Sequence, residues 1–421
     1  MKTFPAPRSR VERAIPVLGF MALFPGFFFY HFLLGTGKIG AFLGGYFSPV
    51  SLLFAPPLAF LYLRQIRRDR RWFSPSELYF GLFLAFFAAV VAVHAATGAN
   101  RVIVDAHVLG ILFMVNACIM FKLIDFAQPE FRYAAMLSLV GMSAVIFAFS
   151  VDGMFRMDAL ALAKDPDSLS TYQGFARSYL VTFLCVIAHT RRLPVRALWY
   201  LAGAASLYLN TARSEFVALL FAIPIIEFYF SRQKLLFILV LVLLATLVGV
   251  NFDSILAHLP SNRILELLDL SHSNSAILRD HMLADAKQTI LASPIFGDYA
   301  SYTPGHYAHN ILSAWVDLGL FGFVFLLALL IWPAISMGVT GFFSTRNSGD
   351  FVLGFALVSV TMLLLFKSHY FSDMLIGAVI GAYSKYNYGR KYARQRQPVP
   401  HIAAPPSPQF LHPIAQTRHA P

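Results

Sequence analysis

Three arginines, one histidine, one amide and one carboxylate stand where apolar segments give way to polar ones: Arg177, Arg213, Arg279, His309, Asn310 and Asp373. Ionisable side chains in or beside membrane segments are costly, and their default reading is functional. A guanidinium stays protonated and grips phosphate oxygens in a planar fork. Arginines gathered at a membrane edge therefore suit an anion that cannot leave the bilayer. The imidazole of His309 titrates near neutrality and can take a proton from a hydroxyl. Each residue also has a plainer reading. Arg213, in Asn210-Thr211-Ala212-Arg213-Ser214-Glu215, either binds an anion, pairs with Glu215 or snorkels to the interface. Arg177 is either an interface anchor or a phosphate contact. Asp373 clusters with Lys367 and His369 between two apolar runs; it either orients an arginine or an acceptor, or belongs to a surface loop. Asn310 can hold a substrate oxygen or fix the His309 ring.

No metal or cofactor is expected. His258, His272, His281, His306 and His309 fall close together, and His306-x-x-His309 is the best zinc fragment. No cysteine or HExxH-type pair joins it. Asp165-Pro166-Asp167 is an acidic pair of the kind that holds a divalent ion, but a solvated turn is the simpler reading. Cys118 and Cys185 lie inside apolar runs, as small hydrophobes rather than a disulfide.

The elements that must position these residues follow from composition. Hydrophobic residues make up 58% of the chain and charged ones 13%, against about 25% charged in soluble domains. Apolar runs near the ~20 residues that cross a bilayer recur throughout. They predict an all-α polytopic membrane protein with about twelve transmembrane helices. Helices one to nine fall in 1–251, an outer loop with amphipathic helix in 252–309, helices ten to twelve in 310–388, and a disordered tail in 389–421. The apolar run from Ile15 is too long for a cleavable signal peptide and lacks a clear small-residue cleavage site. No internal repeat is visible. The net charge of +12 does not point to nucleic acid, because the basic residues sit in short loops between apolar runs. Most of the 33 lysines and arginines fall in alternate loops, which predicts both termini inside and the 275–309 passage outside.

That passage has its own pattern. Leu278, Met282, Ala286 and Ile290 recur every four residues, with Leu283 beside them, as in an amphipathic helix. Ser293-Pro294 ends it, since proline turns the preceding residue away from helical angles. A loop rich in Gly, Tyr and Pro follows, and His309-Asn310 opens the next apolar helix.

Arg279, Pro294-Ile295-Phe296-Gly297, His309-Asn310 and Asp317-Leu318-Gly319 occur in that order, with Arg213 at an earlier helix junction. This layout resembles the O-antigen ligase and polymerase family of bacterial envelopes, over about residues 205–375. The resemblance implies a metal-independent glycosyltransferase of the inner membrane, with its active face periplasmic and both termini cytoplasmic. Its donor would be a glycan on undecaprenyl pyrophosphate; its acceptor would be lipid A-core for a ligase, or the growing glycan for a polymerase. By the same resemblance His309, Arg279 and Arg213 are catalytic, and Arg177, Asn310 and Asp373 bind the pyrophosphate or acceptor. Twelve expected helices, one principal outer loop and no large extra soluble domain make the ligase the first expectation within the family. A lipid-linked glycan transporter is the reading from a different class. Transporters commonly show matched halves with broken helices, and Pro56-Pro57 and Pro224 do not occupy matching positions.

Overall fold

The computed structural model describes residues 9–43, 45–69, 74–155, 172–252, 254, 274–342 and 348–395. Helix α1 (Arg10–Met21) passes through a π turn at Ala22–Gly26 into α2 (Phe27–Gly35). Then come α3 (Phe47–Asp69), α4 (Pro75–Ala96), α5 (Arg101–Leu123), α6 (Pro129–Ala148) and α7 (Tyr172–Ala188). They are followed by α8 (Leu193–Leu209), α9 (Arg213–Phe230) and α10 (Lys234–Val250). The last four are α11 (Asn274–Ala292), α12 (Leu312–Gly341), α13 (Gly349–Lys367) and α14 (Met374–Gln395). The described residues contain no strand, only an isolated bridge between Val151 and Met154. Among the described residues seven helices, counting Arg10–Gly35 as one, are long and apolar enough to cross a membrane. The protein is an all-α membrane protein.

Local sequence accounts for many helix starts. Ser9 with Glu12 and Ser74 with Glu77 form capping boxes at α1 and α4, each satisfying two otherwise orphaned backbone donors. Asn100 caps α5 and Ser348 caps α13. Pro25 lies in the π turn, where its missing N–H interrupts the helical ladder; the Tyr46 hydroxyl donates to the Ala22 carbonyl there at 3.0 Å.

Helix α7 is the centre of the bundle. Every residue from Ser178 to Ala188 is buried, as expected of a helix apolar all round and enclosed by others. The large core beside it is aromatic, with Phe20, Phe28, Phe131, Phe175, Tyr179 and Phe183 among its fully buried rings. A second core joins α4 to α12 through Phe83, Phe87, Leu326 and Leu330. Helix α10 has no buried residue and most of its apolar side chains are exposed; Phe237 packs against Phe228 of α9.

Several expectations on extent are corrected. The first helix expected in 310–388 runs from Leu312 to Gly341 and is broken at Gly319, whose φ of 68° and ψ of −175° are not helical. The last helix runs to Gln395 rather than 388, because Arg390, Lys391, Ala393 and Arg394 are good helix formers. The chain divides into two units, Met1–Tyr386 and Asn387–Pro421, and 396–421 lie outside the described residues. Arg279 lies in the second turn of α11. Met282 and Ala286 are buried as expected, but Leu278 is 47% exposed. The contact of α11 with α12 runs through Ala286, Ile290 and Val316, and Leu278 lies two turns before it. Asp165, Asp167, His258 and His272 lie outside the described residues.

Candidate functional site

The starts of α5, α7 and α14, the end of α13 and the loop before α12 meet at one end of the bundle around a cavity of about 340 Å³. Its wall includes Arg177, Tyr307, His309, His369, Tyr370 and Asp373.

Arg177, His369 and Asp373 on this wall form a charged cluster with Glu215, which is not itself among the lining residues. The Asp373 carboxylate forms an ion pair with Arg177 Nη2 at 3.2 Å and stands 2.7 Å from His369 Nδ1. The opposite ring nitrogen of His369 stands 3.2 Å from Glu215 Oε1. Glu215 is fully buried in the first turn of α9, and its Oε2 has no hydrogen-bond partner among the described residues. Burial opposes a charged His369, but hydrogen bonds to Asp373 and Glu215 outweigh it and hold the imidazole above its ordinary pKa. Burial also opposes ionised Asp373; Arg177 and His369 prevail and keep the carboxyl well below its usual range. Two carboxyl groups thus face a guanidinium and an imidazole, the kind of pairing that buried charges need to be tolerated. Asp373 also accepts from the Leu375 amide at 2.9 Å, so the cluster is tied to the start of α14.

His309 stands apart from this cluster, half-buried on the cavity wall with its ring 4.7 Å from that of Tyr307. Burial first, then the positive charges of Arg279 and His369, lowers its pKa. The ring is therefore neutral, the form that can accept a proton. Asn310 serves the helix: its Oδ1 accepts from the amide of Leu312, the first residue of α12, at 2.9 Å. Its backbone carbonyl accepts from the Ser313 hydroxyl at 2.7 Å. That hydroxyl in turn accepts the Phe371 amide at 3.2 Å, joining the loop before α12 to the loop after α13.

A second polar network backs the cavity. Buried Asp317 accepts from the Ala300 amide at 2.9 Å, from the Tyr302 hydroxyl at 3.1 Å and from the Tyr370 hydroxyl. Tyr370 also lies 2.6 Å from Tyr302 and 2.7 Å from His107 Nε2, and His107 Nδ1 reaches the Tyr299 hydroxyl at 2.7 Å. The loop that delivers His309 is thereby pinned to α5 and α12. Below it, Pro294–Gly297 lies against the break in α12. Asp298 donates its amide to Val316 O at 2.7 Å, and Trp315 Nε1 donates to Pro294 O at 2.8 Å. This approach needs two glycines. A Cβ on Gly297 would stand 2.4 Å from Val316 O, and one on Gly319 2.2 Å from Ile295 O.

Of the six residues singled out in the sequence, Arg177, His309 and Asp373 line one cavity. Arg279 acts on His309 through its charge. Arg213 opens α9 two residues before Glu215 and is not among the cavity-lining residues. Glu215, the partner considered for Arg213, reaches His369 instead. His306 is exposed. Sequence reasoning passed over Glu215 as part of the site, and His107, Asp317 and the tyrosines as a network. A buried acid at a helix junction was the available sign for Glu215. The tyrosines gave none, since aromatic residues are common throughout the chain. Among the described residues no group of three or more His, Cys, Asp or Glu side chains is arranged to hold a metal.

Compared with known proteins, the chain matches no family model and no curated sequence.

Proposed function

We propose that this chain is a membrane glycosyltransferase of the O-antigen ligase kind, moving a glycan from undecaprenyl pyrophosphate to lipid A-core at the periplasmic face of the bacterial inner membrane. The observation that carries the reading is the cavity at one end of the bundle, where neutral His309 faces the cationic side chains of Arg177 and His369. The proposed topology has twelve spans, with α1 and α2 as one crossing and α11 outside. An even number puts both termini on one side, and the lysine and arginine placement makes that side the cytoplasm, with the cavity opening outward.

The chemistry is a displacement at the anomeric carbon. An acceptor hydroxyl attacks that carbon while His309 takes its proton, and the bond from carbon to pyrophosphate oxygen breaks. The pyrophosphate leaves with the electron pair. Arg177 on the cavity wall holds its oxygens, with the charge of Arg279 nearby, stabilising charge that grows as the bond breaks, a contribution of several kcal/mol in comparable sites. Asp373 fixes the guanidinium of Arg177 in place. Pyrophosphate is a good leaving group, so the scheme asks for no metal or cofactor.

The test is to delete the gene, complement it with wild type or His309→Ala, and separate envelope glycolipids by size. Deletion is expected to leave long polymer on the carrier lipid and bare core. His309→Ala should fail to restore transfer, since losing a general base costs about 10²–10⁴-fold. Core carrying single repeats would instead identify a polymerase. Precursor trapped on the inner side would identify a transporter and overturn the enzyme reading.

A further inference from the structure

We propose that the opposite end of the bundle carries a second binding site, for a phosphate group, and that its occupant is the headgroup of an anionic membrane lipid. Helix α7 leads from Arg177 to Ala188, α9 from Glu215 to Phe230, and α13 back from Lys367 to Gly349. The far ends of these helices border a separate cavity of about 640 Å³. At 1.5 Å per residue, the 17 residues of α7 and the 19 of α13 span about 25 and 28 Å. That is close to the ~30 Å hydrocarbon core of a bilayer, so the two cavities sit at its two edges.

The lining charge is basic. Arg132, His189, Arg191 and Arg192 face this cavity with a single carboxylate, Asp350. That carboxylate is already paired, since Lys385 Nζ lies 2.9 Å from its Oδ1. Three guanidiniums remain to meet an anion, and guanidinium forks match phosphate oxygens.

The cavity wall is firmly built. Arg196, 4% exposed, donates from Nε and Nη2 to Glu227 at 2.5 and 2.7 Å. Its Nη1 donates to the carbonyls of Arg191 at 2.7 Å and Thr190 at 3.4 Å. The turn that presents Arg191 and Arg192 is thus held by a buried ion pair between α8 and α9. The same guanidinium lies 4.2 Å over the ring of Phe230, which lines the cavity. On the other side the wall is closed by contact between His189 and the start of α13: a Cβ on Gly349 would stand 2.5 Å from the ring. The starts of α8 and α13 add their positive dipole ends.

The surroundings favour a lipid over free phosphate. Val195 lines the cavity and is 37% exposed, and Leu193 and Leu198 beside it are 58% and 66% exposed. This apolar rim suits acyl chains below a headgroup held by the arginines, the arrangement of basic lipid pockets between membrane helices.

The experiment titrates purified full-length protein in neutral detergent with phosphatidylglycerol or phosphatidylcholine and counts bound lipid by native mass spectrometry. A separate arm adds inorganic phosphate as competitor. Phosphatidylglycerol is expected to bind in preference. A basic residue near an anionic surface contributes about fivefold in affinity. Arg191→Gln and Arg192→Gln, both at exposed positions, should each weaken binding about fivefold and together about 25-fold. Arg101→Gln, 93% exposed at the other end of the bundle, should leave it unchanged. Equal binding of the two lipids, or unaltered binding by a folded double variant, would overturn the proposal. Displacement by inorganic phosphate with no preference between the lipids would overturn the lipid assignment. Arg132 is half-buried; if Arg132→Gln fails to fold, the exposed pair still decides the matter.

Discussion

His309 and His369 are the same residue type, share one cavity, and are driven in opposite directions. Burial, Arg279 and His369 lower the affinity of His309 for a proton, while Asp373 and Glu215 raise that of His369 against its burial. The sign for His309 follows directly. A base with a pKa below the ordinary 6.5 stays neutral into mildly acid solution, and activity falls only as pH drops through that lowered value. Arg279→Gln removes one depressing charge, so the acid limb of the kcat/KM profile should move to higher pH. An unmoved limb in assays of the purified variant would separate Arg279 from His309. The sequence already marked Arg177, His309 and Asp373 as chemically able. It did not pair Arg177 with Asp373 or turn Glu215 toward His369, because those contacts join residues 196 and 154 positions apart.

At the scale of elements, the decisive feature is the seat of Pro294–Gly297 against the break in α12. Gly319 adopts φ 68° and ψ −175°, a region open essentially only to glycine and costing other residues about 1–3 kcal/mol. A Cβ there would also meet the Ile295 carbonyl at 2.2 Å. Gly319→Ala should therefore lower the thermal midpoint in detergent by several degrees and loosen the loop that carries His309. Gly338→Ala is the control. Its Cβ would meet only Phe355, at an ordinary 3.7 Å, and alanine favours a helix over glycine, so the midpoint should hold or rise. Equal midpoints for the two variants would show that the break does not fix the loop. Periodicity and Pro294 marked where α11 stops, whereas the break inside α12 had no local signal beyond one glycine among 26.

For the whole molecule, the arrangement turns on α7, enclosed from Ser178 to Ala188, with one cavity at each end. The orientation drawn from lysine and arginine placement has a direct check. Ser301→Cys, on the exposed loop beside the candidate site, should react with an impermeant thiol reagent added to intact cells. Arg67→Cys, exposed at the end of α3, should react only after the membrane is opened. The native cysteines, Cys118 and Cys185, are buried and should contribute little background. The reverse pattern would invert the sidedness and move the candidate site to the cytoplasmic face.

What the sequence determined by itself was the class and the punctuation. Hydrocarbon runs of membrane length require helices, since no other open structure satisfies backbone hydrogen bonds in lipid. The stop at Ser293-Pro294 acts within a few residues, so it is readable along the chain. The composition of the site was partly legible, because charge is scarce in such a chain and each charged residue at an apolar boundary stands out. Tertiary structure alone decided the partners. Burial of Glu215 against His369, the gathering of tyrosines around Asp317 and the two-glycine approach of Gly297 to Gly319 depend on distances between helices far apart in sequence. Local propensity carries no information about those distances; the packing of α7 among its neighbours sets them.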